Sequence, residues 1–411
     1  MKKIVIIGAG ISGLIAATEL EKAGLNPTII ERDKSPGGRV QSDLMDGYIM
    51  DRGFQVLLTA YPEAQRYLDY EILDLQYFDP GAIVYDGTST LRISDPLREP
   101  SSMLTMMFSS IGSLADKLKM FSYTQGLKRL TIEQLFQKKE ITTLAHLQNL
   151  GFSSRIIELF FRPFFAGIFL ESNLETSSRM FEFVFKMFSE GNAAIPAKGM
   201  QEIPNQLVSN LHNTTIKYDL TVRSVENNKI ILDDNDTIHA DHIIIAGDPT
   251  PMIAGLKQDV LEYHDVYNLY FETDRSFINR RAIALRPTAN GIINNMNFMT
   301  DVSSQYSTNG KALLSVSIVN PKSYNASQLP KVVADELSVL AASEQIYFRH
   351  LKTYHVRKAL PKLNDLQYTM EPTACRLTDS VYLAGDHMLN ASLNAAMTSG
   401  RIAAHAILQQ S

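Results

Sequence analysis

Residues 8–14 read GAGISGL and follow directly on the opening run MKKIVII. Two readings of this stretch compete. Lys2 and Lys3 followed by the apolar Ile4–Ala17 have the outline of a secretory signal, but no Ala-x-Ala-like end precedes Glu19 and Glu21. The second reading accounts for more residues. Lys2–Ile7 is short, apolar and β-branched, as expected of a strand buried on both faces of a parallel sheet. Gly8, Gly10 and Gly13 follow at G-x-G-x-x-G spacing. Leu14, Ala17, Leu20 and Ala23 then recur with helical periodicity, and Gly24 is placed to end the helix. Pro27–Ile30 reads as a second strand with Glu31 at its end.

Each part of this unit has a physical task. The first glycine permits a tight turn, the second lets backbone approach a pyrophosphate, and the third lets helix pack on strand. The helix start adds free N–H groups and a positive dipole for phosphate. Glu31, 18 residues past Gly13, suits a ribose 2′-OH and would repel a 2′-phosphate. Strand, glycines, helix, strand and acid in that order specify a βαβ dinucleotide site, where the glycine spacing alone would not. Just beyond lies RDKSPGGRVQS, residues 32–42. A second glycine pair, Gly37-Gly38, beside Arg39 is unexplained by a plain NAD site. A flexible turn with a guanidinium fork could approach a further stretch of diphosphate.

The two ends of the chain agree. Val381–Asp386, VYLAGD, reads as a short strand ending in an acid, and Asn394–Ala404, NAAMTSGRIAA, as a helix of small residues. With GAGISGL, the Glu31-Arg32 pair and Gly37-Gly38-Arg39, these motifs resemble the amine oxidase/phytoene desaturase superfamily of FAD-dependent oxidoreductases. The resemblance continues through Met50-Asp51-Arg52-Gly53-Phe54, Lys198-Gly199-Met200 with Ile203-Pro204, Thr221–Val225 with Asp241–Pro249, and Ala359-Leu360-Pro361. It implies an α/β fold, with a Rossmann-type, doubly wound FAD-binding domain and an interleaved α+β substrate domain. The FAD-binding segments are expected at 1–85, 196–255 and 356–411, and the substrate segments at 86–195, mostly helical, and 256–355, containing a sheet. It further implies that FAD meets Gly8, Gly10, Ile11, Ser12, Gly13, Glu31, Arg32, Gly38, Arg39, Gly53, Phe54, Val222, Gly385, Asp386 and Asn394. In that scheme Asp386 hydrogen-bonds the ribityl or diphosphate region, the backbone of Val222 meets adenine, and the closing helix aims its dipole at the flavin N1/C2=O edge.

The totals set outer bounds. A chain of 411 residues is long for one core, so two domains are expected. An apolar fraction of 45% and a charged fraction of 20% are those of a soluble globular protein. A net charge of −5 gives no basic face for nucleic acid. Cys375 is the only cysteine, so no intrachain disulfide forms, and a reducing compartment is expected. No Cys/His set has zinc-ligand spacing, so no metal is expected. The expected location is the cytoplasm, with peripheral contact at a membrane left open, since no apolar run reaches 18 residues.

The substrate side is less specific. Met103, Met106, Met107, Ile111, Leu114 and Leu118 fall at helical spacing. Phe160–Leu170, broken by Pro163, and Phe181, Phe183, Phe185 and Phe188 make a dense aromatic stretch. Such stripes are more often core than pocket; the functional alternative is a lipophilic channel. Val266–Glu272 and Leu313–Val319 read as strands, with a turn at Thr308-Asn309-Gly310. The chain has no Trp, Leu389 and Asn390 stand where amine-oxidising relatives carry a cage aromatic, and Asn268 takes the place of their lysine. These departures lean toward the desaturase side. The expected activity is dehydrogenation, desaturation or isomerisation of a lipophilic polyene or terpenoid-like molecule, with the electron acceptor open. The rivals are an amine oxidase releasing hydrogen peroxide, a flavin- or lipid-binding protein without turnover and, last, an NAD-dependent dehydrogenase. The catalytic residues are left open among Arg52, Gln55, Asn268 and His387: Arg52 and Gln55 as contacts to substrate or flavin, Asn268 in the place of the lysine, and His387 as a packing residue or an acid/base.

Overall fold

The computed structural model describes residues 2–85, 90–94, 111–254, 256, 261–287, 291–319, 325–341 and 345–410. The opening unit forms as read. Strand Ile4–Ile7 is buried at every position, helix Ile11–Lys22 follows, and Thr28–Ile30 returns parallel to the first strand. The helix ends at Lys22, with Gly24 at φ +80° and the N–H of Leu25 donating to the carbonyl of Leu20 at 3.0 Å.

Five parallel strands form the first sheet, in the order Thr215–Lys217, Thr28–Ile30, Ile4–Ile7, His242–Ala246, Val381–Ala384. Both faces are covered, which is why its central strands read as unbroken β-branched runs. An antiparallel meander, Val222–Glu226, Lys229–Leu232 and Thr237–His239, packs against it through Val225, Ile230 and Leu232. This is a Rossmann-type α/β architecture.

Seven strands form the second large sheet, in the order Arg349–Pro361, Tyr263–Thr273, Ala312–Val319, Asn295–Phe298, Ile283–Leu285, Gly81–Tyr85, Thr90–Ser94. All neighbours are antiparallel except Ile283–Leu285 and Gly81–Tyr85. The boundaries expected at 85/86 and 355/356 therefore both fall inside this sheet: a hairpin recruits Gly81–Tyr85 to it, and Arg349–Pro361 is one long strand crossing position 355.

Helices enclose the space between the sheets. Met103, Met106 and Met107 lie outside the described residues. Ile111 is buried, but Leu114 and Leu118 are 56% and 62% exposed on helix Leu114–Lys128, which turns Asp116 and Leu127 inward instead. The expectation of a buried stripe there is corrected. Pro163 does not break the aromatic segment either. A π-helical turn, Ile157–Phe161, runs straight into helix Arg162–Phe169, so the helical path continues through Pro163.

Backbone contact at glycine locks the two chain ends together. A Cβ on Gly13 would lie 2.0 Å from the carbonyl oxygen of Gly8, and one on Gly400 would lie 2.2 Å from that of Ser12. The closing helix, Leu393–Leu408, therefore rests directly on the opening helix. Gly126, by contrast, has open space around it within helix Leu114–Lys128. Gly400→Ala is expected to lower stability by about 1–3 kcal/mol through overpacking. Gly126→Ala should raise it by about 0.5–1 kcal/mol through helix propensity. Denaturant melts of the two variants against wild type check the pair, and equal shifts would count against the packing assigned to Gly400.

Candidate functional site

A cavity of about 1030 Å³ runs from the carboxyl ends of the parallel strands to the face of the antiparallel sheet. The first of these is where open α/β sheets place their ligands. Gly8, Gly10, Ile11, Ser12, Glu31, Arg32, Gly38, Arg39, Gly53, Phe54, Val222, Gly385 and Asp386 all line it, as do Arg52, Gln55 and His387. Gly13, Asn268 and Asn394 do not.

The glycine loop is held from beneath by Glu31. Its carboxylate is buried, one oxygen accepting from the N–H of Ala9 at 2.6 Å and the other from that of Asp33 at 2.9 Å. The second glycine pair packs on the first: the N–H of Gly37 donates to the carbonyl of Ala9 at 2.9 Å. A Cβ on Gly10 would meet no atom of the other described residues within 4 Å, because that position opens into the cavity. Here is a cradle of bare backbone at a helix start, the shape and polarity that a diphosphate requires.

Arg39 reaches across to the other end of the chain. Its Nη2 donates to Asp386 Oδ1 at 2.5 Å and its Nη1 to the carbonyl of Ala359 at 3.0 Å. The N–H of Gly385 donates to Ser399 Oγ at 2.9 Å, so the serine of the closing helix fixes the turn that presents Asp386. The start of that helix faces the cavity through Ser392, Leu393 and Ala396. Asn394 lies one face away, its Oδ1 accepting from the N–H of Glu63 at 3.0 Å.

Arg52 and Gln55 reach the cavity wall while bonding to nearby loops. Arg52 donates to Asp43, its Nη2 at 2.9 Å, and also to Gln41. Gln55 Nε2 donates to the carbonyl of Arg39 at 2.7 Å. Beneath them Asp51 is fully buried. Its carboxylate accepts from the Ser42 hydroxyl at 2.6 Å, the N–H of Met200 at 3.0 Å and the Tyr306 hydroxyl at 2.8 Å. Burial pushes its carboxyl above the usual range despite these donors. Asn268 lies under the wall, its Oδ1 accepting from Ser315 at 3.2 Å and Ser317 at 3.1 Å.

Away from the glycines the wall becomes apolar: Leu58, Phe164, Ile168, Phe169, Met180, Val184, Phe188, Ile283 and Leu285. Glu171 lines it too, but turns its carboxylate back onto Asn173 and Thr176. The aromatic segment thus serves both roles weighed for it. Phe161, Phe165, Phe181 and Phe183 are core, whereas Phe164 and Phe188 face the cavity. Sequence reasoning missed Tyr61, Asn295, Ser317 and Lys358 in the lining. They belong to no recognisable motif; only the alternation of their strands, once the sheet order is known, would have found Asn295 and Ser317.

Comparison with known proteins agrees with this arrangement. Residues 11–408 match the family model of flavin containing amine oxidoreductases. The chain belongs to that family. It is a flavin-containing oxidoreductase. Among curated proteins it is similar to protoporphyrinogen oxidase 2, chloroplastic/mitochondrial, of Arabidopsis thaliana, 27% identical over 166 residues, covering 40% of this chain and 32% of that protein. A second is the 4,4'-diapophytoene desaturase of Staphylococcus aureus, 26% identical over 173 residues, covering 38% and 34%. The chain spans about a third of the length of these relatives. Among solved structures it resembles putrescine oxidase bound to putrescine, with a TM-score of 0.70 at 14% identity over 99% of both chains. Reduced UDP-galactopyranose mutase has a TM-score of 0.70 at 15% identity over 100% of this chain and 94% of that one. At such identities the likeness is one of fold.

His387 is buried in the cavity wall, and its Nε2 has no hydrogen-bond partner among the described residues. Burial holds its imidazole below the ordinary value, in the neutral form. The unfolded chain therefore binds a proton that the folded chain refuses, and stability drops as pH falls through the unfolded value near 6.5. His387→Asn is expected to lose less melting temperature than wild type between pH 7.5 and 5.5. Parallel losses would show that His387 contributes nothing to the acid sensitivity.

Proposed function

We propose that the glycine-lined end of the cavity holds FAD and that the apolar end takes a lipophilic, polyene- or terpenoid-like molecule for dehydrogenation or desaturation. When bound, the flavin supplies the acceptor for the hydride removed from a C–H bond. The chain's own residues do the positioning. Gly8, Gly10, Ile11 and Ser12 offer backbone to the diphosphate, and Gly13 keeps the helix close enough for its N-terminus to face it. Glu31 stands at the ribose, with Arg32 beside it, and Val222 is placed for the adenine. Gly38, Arg39, Gly385 and Asp386 bracket the link between diphosphate and ring. Gly53 and Phe54 border the ring, and the closing helix presents its positive end there.

The observation that carries the substrate reading is continuity: one cavity joins the glycine cradle to an aliphatic and aromatic wall. Asn390 stands where the resemblance would put a cage aromatic for an amine, and its amide is tied to the carbonyl of Gln367 at 2.8 Å and to the Ser392 hydroxyl at 2.7 Å. The two curated relatives, whose names refer to protoporphyrinogen and diapophytoene, support a lipophilic substrate. An approach from a lipid surface fits Leu114, Leu118 and Phe121, exposed at i, i+4 and i+7 on one helix face.

Two measurements test the halves separately. Gly10→Val adds a side chain where no atom of the described residues stands in the way, so apo stability should hold while affinity for FAD, titrated into the apoprotein, falls more than about 10-fold, the order expected when binding loses about 1.4 kcal/mol or more. Unchanged FAD affinity in Gly10→Val would remove the diphosphate from this loop. For the substrate, the purified holoprotein is mixed anaerobically with vesicle-borne acyclic terpenes and, separately, with aliphatic amines. Bleaching of the flavin band by the terpenes is expected. Bleaching by amines alone, with peroxide on admitting air, would make the protein an amine oxidase.

A further inference from the structure

One row of residues crosses the antiparallel sheet on the face turned toward the cavity. Register aligns Tyr354, Asn268, Ser317, Asn295 and Leu285 on five successive strands, all pointing the same way. Ser317 and Asn295 reach the cavity, amid the apolar side chains of Ile283, Leu285, Phe164 and Ile168. Asn295 is 4% exposed, yet among the described residues its Oδ1 has no hydrogen-bond partner.

Its neighbours Asn294 and Asn297 also have an Oδ1 without a partner among the described residues, but they do not line the cavity. Asn294 Nδ2 donates to the carbonyl of Pro163 at 3.1 Å, and Asn297 Nδ2 donates to the sulfur of Met299 at 3.0 Å. Ser317 gives its proton to Asn268 Oδ1, which keeps the lone pairs of the serine oxygen free to accept. Asn295 stands over Gly167, where a Cβ would come within 2.5 Å of its Nδ2, and Gly167 itself lines the cavity. A leucine would match the shape of Asn295 and suit these surroundings without stranding a buried amide, which is costly. No ionised group stands in the row.

We infer that Asn295, backed by Ser317, receives one uncharged hydrogen-bonding group, a hydroxyl, carbonyl or amide, on an otherwise apolar substrate. The inference rests on the lipophilic substrate reading above and narrows it: a pure hydrocarbon would leave the Asn295 amide unpaired. Sites built around such a group discriminate strongly against the analogue that lacks it, because their own buried polar atoms are then left without partners.

Farnesol and farnesene share a carbon skeleton and differ by one molecule of water, the hydrocarbon carrying an extra double bond in place of the hydroxyl. Both are titrated from the same carrier into purified holoprotein while the visible flavin spectrum is followed. Farnesol is expected to bind more tightly by about 10-fold or more, the range of one satisfied buried hydrogen bond. Asn295→Leu should bring the two within about twofold by weakening farnesol and not farnesene. Asn295→Ala and Ser317→Ala repeat the comparison should the leucine variant fold poorly. Equal binding of both ligands to wild type would overturn this inference while leaving the lipophilic reading in place. If neither ligand perturbs the flavin, both readings fall. A changed FAD spectrum or lowered FAD content in ligand-free Asn295→Leu would place the amide against the cofactor and also overturn the inference.

Discussion

Close approach of backbone to backbone at the first turn is the constraint on which the rest depends. The carbonyl of Gly8 sits where a Cβ of residue 13 would be, and the carbonyl of Ser12 sits where a Cβ of residue 400 would be. These two contacts fix the opening helix against its own strand and against the closing helix. The cavity lies between the elements they position. Gly10, inside the same motif, obeys a different rule: the protein leaves its surroundings open. One glycine spacing therefore encodes two demands, tight packing at Gly13 and clearance for a ligand at Gly10.

Electrostatics completes what packing begins. Arg39 and Asp386 are 347 positions apart, and their pairing at 2.5 Å joins the second glycine turn to the turn after the last parallel strand. Loop closure over such a distance costs little more than over half of it, so a long insertion of substrate-side chain between them is thermodynamically cheap. Glu31 does the same work locally, gathering the N–H groups of Ala9 and Asp33 onto one buried carboxylate. Both acids face donors that the chain itself supplies, backbone N–H groups for Glu31 and a guanidinium for Asp386.

Much of the first sheet was legible because its signals are local. Strand, glycines, helix and strand occupy Ile4–Ile30, and the turn at Gly385 is explained by the Ser399 hydroxyl a single helix turn beyond Ala395. Of the second sheet, the strands at Val266–Glu272 and Leu313–Val319 were legible, but its strand order was not. Its neighbours Gly81–Tyr85 and Ile283–Leu285 are separated by about two hundred residues, and nothing in either stretch names the other. Asn268 shows the consequence. Its placement on a strand near the site followed from the resemblance, but that it lies beneath Ser317 depends on which strand is its neighbour. Leu114 and Leu118 show another limit: periodicity reveals that a helix has an apolar face, not which way the face turns.

The two ends of the cavity differ in legibility because they are made of different material. A parallel sheet offers its carboxyl edge, and the ligand there meets main-chain groups whose placement requires glycine at fixed intervals. Those intervals survive as a pattern that can be read from residue order. An antiparallel sheet offers a face, and the ligand there meets every second side chain of several strands. Any residue of suitable size can serve, so no spacing records the choice. Asn295 and Ser317 are informative only against their surroundings, as polar groups where Ile283, Leu285 and Phe164 make apolar ones the natural occupants. The cofactor end is therefore specified by where the chain lacks side chains, and the substrate end by which side chains depart from the local rule.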